Sequence, residues 1–133
     1  MGGKPRATCP PEQILEGFSP RVVALAGRAR RMVRGMIDGV IEEGDPGRGV
    51  IRLSRHGRFG FIQPMPDHIR LGFEHGAALP DFGGVLEAQG RGRVRYAAVR
   101  SARELGGFAI KTLISAALFD DETHGFRKRA RRR

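Results

Sequence analysis

Metal binding and acid–base chemistry need His, Asp, Glu or Cys side chains held close together, and one short stretch of the chain concentrates them: Asp67, His68, Glu74, His75 and Asp81. If His68 to Glu74 is a strand, its two-residue period puts His68 and Glu74 on one face with Arg70 between them, and delivers His75 to the loop that follows. Imidazole and carboxylate together suit divalent metals, so His68, Glu74, His75 and Asp81 form the candidate metal set, although their spacing matches no established metal motif. The competing reading is structural, with His68 and Glu74 on a solvated strand face and His75 and Asp81 ordering the loop through local hydrogen bonds.

A second grouping is cationic. Arg70, Tyr96 and either Arg93 or Arg95 would line an anion-binding patch on an open sheet face, where guanidinium forks fit phosphate or carboxylate. Together with Glu74, His75 and Asp81, residues Arg70, Arg95 and Tyr96 make up the candidate ligand-binding set. Alternation by itself also places polar residues on a wet face, so a purely solubilising role competes. A third grouping is Arg127, Lys128, Arg129, Arg131, Arg132 and Arg133. It holds six of the ten net positive charges and leaves only four to residues 1–126. Such a run has nothing to pack with, and would give salt-sensitive, sequence-independent affinity for nucleic acid. Arg21, Arg28, Arg31 and Arg34 read instead as the solvated face of an amphipathic helix.

No nucleophile elbow or phosphate-binding glycine loop is present, Gly90-Arg91-Gly92 being too short for one. Glu42 and Glu43 read as exposed linker carboxylates, out of reach of tuning by burial. Cys9 is the only cysteine, which excludes an intramolecular disulfide and a cysteine-based zinc site, and in its Pro-flanked setting reads as a mobile thiol. The residues therefore favour a binding protein over an enzyme and require no cofactor. The absence of a long apolar run argues against a membrane partner and, with the single thiol, fits a cytoplasmic location.

The elements that must carry these residues follow from periodicity. With 133 residues, one core is expected. Residues 1–10 read as a disordered lead-in, 11–122 as the domain, and 123–133 as a disordered basic tail. A short helix begins at Pro11 and ends near Gly17. Ser19-Pro20 then opens a long helix whose apolar residues run from Val22 to Val40 at three- and four-residue spacing. Glu42 to Gly47 reads as a turn-rich linker. Strands follow over 49–54 (Ile51 and Leu53 facing together), 58–63 (Phe59 and Phe61 together) and 68–74 (Ile69, Leu71 and Phe73 together). A loop over 75–92 uses Val85 and Leu86 as anchors, and a fourth strand, 93–100, turns Ala97 and Val99 inward. Ser101-Ala-Arg-Glu104 has the form of a capping box for a final helix that frays at Asp120-Asp121-Glu122. The sum is an α+β two-layer sandwich: an antiparallel sheet of about four or five strands, with N- and C-terminal helices on one face and the other face wet.

The stretch His68-Ile-Arg-Leu-Gly-Phe-Glu-His-Gly-Ala-Ala-Leu-Pro-Asp81, with Gly83-Gly-Val-Leu-Glu87, Gly90, Arg95-Tyr96 and Val99-Arg-Ser101, resembles the YdhG-like family of bacterial domains of unknown function. The resemblance extends over roughly residues 12–119 and implies a compact α/β sandwich. Some of that family are proposed as frataxin-like iron chaperones, so it also implies iron handling as a candidate activity. The leading expectation is a small binding or carrier domain for an undetermined ligand or protein partner. The alternative is a nucleic-acid-associated accessory protein acting through residues 127–133.

Overall fold

The structure, a computed structural model, describes residues 7–131, with side chains as far as His124. Ser19 caps α2 (Pro20–Met36) by accepting the Val22 N–H at 3.3 Å, and Val22, Leu25, Ala26, Ala29 and Val33 form its buried stripe. The helix stops short of Val40. Ile37 is already extended, and Gly39 takes a positive φ of 84° that turns the chain into the sheet. Ile37 and Val40 still pack partly against the core, which is why their spacing looked helical. The preceding α1 (Pro11–Ile14) is a single turn that buries Ile14.

Residues expected as linker form a strand, β1 (Ile41–Asp45). Its polar composition hides it, because Glu42 points toward α2, where Arg30 Nε lies 2.6 Å and Arg34 Nη1 2.9 Å from its carboxylate oxygens. Arg30 also reaches Glu12 at 3.2 Å. Loss of hydration works against the charged form of Arg30, but these two carboxylates more than offset it and raise its proton affinity. Glu42 is thus a half-buried member of an ion-pair cluster rather than a free linker acid. The lead-in is also partly ordered: Cys9 forms an antiparallel bridge with Gly44, its N–H donating to Gly44 O at 3.0 Å and its carbonyl accepting the Gly44 N–H at 2.8 Å.

Strands β2 (Val50–Ser54), β3 (Arg58–Pro64), β4 (Ile69–Phe73), β5 (Leu86–Ala88) and β6 (Arg95–Val99) complete a six-stranded antiparallel sheet in the order β1-β2-β3-β4-β6-β5. This confirms the α+β architecture with slightly more strands than expected. Ile51, Leu53, Ile69, Leu71, Phe73, Ala97 and Val99 face the helices as their alternation implied. Phe59 and Phe61 do not face together. The β2–β3 register slips between Leu53 and Ser54, and this irregularity sends Phe59 into the core while Phe61 pairs with Arg52 on the opposite face. β5 occupies three residues of the expected loop and lies at the sheet edge beside β6.

The last helical segment is split. Ser101 accepts the Glu104 N–H at 3.1 Å, as in a capping box, but Glu104 reaches the Arg100 N–H (2.7 Å) rather than that of Ser101. The resulting α3 (Ala102–Leu105) is one turn, broken by Gly106-Gly107 before α4 (Phe108–Arg131). α4 buries Ile110, Leu113, Ile114, Ala117 and Leu118 and continues past the acidic trio, so residues 123–131 extend a helix instead of starting a disordered tail. With the helix described as far as Arg131, Asp120 to Glu122 lie within it and not at its end.

Candidate functional site

Alternation along the central strands turns Arg52, Phe61, Gln63, Arg70, Gly72, Glu74 and Tyr96 to the sheet face away from the core. This face is not simply wet. Phe61 is buried above Gly72, where a Cβ would collide with its ring. The Arg70 guanidinium carbon stands 4.4 Å from the centroid of the Tyr96 ring, in cation–π contact. Gln63 and Arg70 are directly opposed across the β3–β4 ladder, and Gln63 Oε1 and Arg70 Nε are both buried without a hydrogen-bond partner among the described residues. Buried polar atoms are paired in the great majority of cases, so two adjacent exceptions mark this spot. A hollow of about 300 Å³ opens beside them. Val50, Phe61 and Val94 give it apolar surface, and Arg48, Gln63, Glu74 and Gln89 give it polar groups.

Of the candidate ligand-binding residues, Arg70, Glu74 and Tyr96 share this face, while the other three go elsewhere. Arg95 is one residue out of phase with Tyr96, and its Nη1 donates to the carbonyls of Gly92 (2.8 Å) and Val94 (2.9 Å). Asp81 accepts the N–H groups of Val85 and Leu86, both at 2.9 Å, and so orders the loop leading into β5. His75 precedes a 3₁₀ turn, Gly76–Ala78, and lies against α4. Arg93 is exposed.

The candidate metal set is likewise dispersed. His68 Nδ1 lies 2.6 Å from Asp67 Oδ1, and this hydrogen bond is the main reason the Asp67 carboxyl is held below the usual carboxylate range, against a smaller opposing effect of desolvation. His75 meets residues that sequence reasoning passed over: its Nδ1 is 2.9 Å from Asp120 Oδ2, and His124 Nδ1 is 3.2 Å from Asp120 Oδ1. The helical spacing Asp120-x-x-x-His124 was the available signal, lost because the helix was expected to fray there. Glu12 and Glu42 are taken up by Arg30 and Arg34, so these acids do not form an open carboxylate surface for a hard cation such as iron. The side chains of Arg127, Lys128, Arg129 and Arg131, and all of Arg132 and Arg133, lie outside the described residues.

Among the described residues, no helix is long and apolar enough to cross a membrane. No protein-family model, curated protein or solved structure matches the chain.

Proposed function

We propose that the chain is a non-enzymatic binding or carrier domain whose ligand is a small zwitterion, carrying an acid group and an amine, held in the hollow on the open sheet face. The observation that carries this reading is the make-up of the hollow: one cation, one anion and two amides around apolar surface. Arg48 suits a carboxylate or phosphate, Glu74 suits an ammonium group, and Gln63 and Gln89 offer donors and acceptors between them. A volume of about 300 Å³ is at the lower end of the range for small-molecule sites. The resemblance to YdhG-like domains also points toward binding rather than catalysis.

The test is an NMR titration of the ¹⁵N-labelled full chain with a panel of amino acids and aminoalkyl phosphates. Saturable shifts are expected at Phe61, Gln63, Glu74 and Val94, and Arg48→Ala or Glu74→Gln should each weaken binding by about tenfold, as loss of a charge-assisted hydrogen bond does. Shifts confined to other surfaces, or affinity unchanged in both variants, would refute the assignment.

A further inference from the structure

We infer that His75, Asp120 and His124 form a binding site for a first-row divalent transition-metal ion of the zinc type. The three side chains come from two places in the chain, the loop just past β4 and the middle of α4, and meet on the surface. Each offers a ligand atom within 4.8 Å of the other two. The two imidazoles approach different oxygens of one carboxylate, at 2.9 Å and 3.2 Å, and their ring centroids are 5.0 Å apart. Ligands bound tetrahedrally at about 2.0–2.1 Å stand roughly 3.3 Å from one another, so the His75–Asp120 pair is near the spacing an ion would impose, and His124, whose Nδ1 also lies 3.0 Å from the Asp120 carbonyl oxygen, completes the set by a small side-chain rotation.

The frame around the site is fixed without an ion. Asp121, the neighbour of Asp120, is buried and accepts the His56 and Gly57 N–H groups at 3.1 Å and 2.9 Å, which ties α4 to the β2–β3 turn and sets its register against His75. The ligand side chains themselves stay open to solvent: 37% exposed for His75, 28% for Asp120 and 50% for His124. An ion can therefore reach them without local unfolding. Two imidazoles and a single carboxylate favour Zn²⁺, Ni²⁺ or Co²⁺ over Mg²⁺ or Ca²⁺, which take oxygen ligands. Three protein ligands leave a fourth position for water or an exchanging ligand, the pattern of an exchangeable rather than a purely structural site. The site is separate from the hollow on the sheet face, because none of its residues lines that hollow.

The experiment is calorimetric titration of the chelator-treated full chain with zinc chloride, paralleled by the visible spectrum of the cobalt(II) form. One equivalent should bind, with cobalt bands of tetrahedral type. His75→Ala, Asp120→Asn and His124→Ala should each lower zinc affinity by more than about tenfold, at least what loss of a supporting residue costs, while circular dichroism stays unchanged. Cys9→Ser and His68→Ala should bind as the parent does. Absence of saturable zinc binding overturns the inference, as does binding that survives both histidine substitutions or disappears in the Cys9 or His68 variant.

Discussion

At the scale of single residues, several local roles are written in the sequence because they depend only on neighbours a few positions away. Ser19 before Pro20 and Ser101 before Glu104 cap helices where the pattern placed them. Partners distant in the chain were not legible, since nothing in the spacing joins His75 to Asp120 or Glu42 to Arg30. Asp67 and His68, adjacent in sequence, illustrate a short-range effect with a measurable sign. The Asp67 carboxyl is lowered first by its hydrogen bond to His68, with the charges of His68 and Arg100 adding to it against desolvation. A lowered carboxyl favours the folded state above its unfolded value, and that contribution is lost as pH falls through the folded value. A carboxyl-detected NMR titration should give Asp67 a midpoint under the ordinary aspartate value of about 3.9, and His68→Ala should raise it toward that value. An ordinary midpoint in the parent protein would contradict the geometry.

At the scale of elements, the strands over 50–54, 58–64, 69–73 and 95–99 were readable because a face packed on helices forces alternation. β1 was not, because its inward Glu42 is satisfied by arginines on α2, so the strand buries charge where the eye seeks an apolar residue. The irregularity in the β2–β3 register left no compositional trace, yet it decides what the open face is made of. Without it Phe59 would leave the core and share the open side with Phe61, whose own face is fixed by its pairing with Gly72. Gly72 completes that arrangement by leaving room for the Phe61 ring. Gly72→Ala is expected to destabilise the fold by about 1–3 kcal/mol, the usual penalty for overpacking. In chemical denaturation the double variant Gly72→Ala/Phe61→Ala should lose less than the sum of the two single losses; strict additivity would show that ring and glycine are independent.

At the scale of the whole molecule, α4 is both a core element and a brace. Its Asp121 carboxylate holds two amides of the β2–β3 turn, a contact spanning more than sixty residues of chain. Asp121→Ala should cost about 1–3 kcal/mol, because the two amides lose their acceptor. Hydrogen exchange at His56 and Gly57 should accelerate more than at the centre of β3, and uniform acceleration would argue against a local brace. The sheet this brace steadies ends, on one side, at β1, where Gly44 is matched by Cys9, and on the other at β5, only three residues long. Gly44 has no room for a side chain there, since a Cβ would press on the Cys9 sulfur and carbonyl. An unguarded strand margin invites a second molecule to zip on, the first step toward fibres. Here the Cys9 bridge covers one margin at Gly44 and brevity blunts the other, so replacing Cys9 by Pro, which removes its N–H donor, is expected to raise self-association, as light scattering would read it.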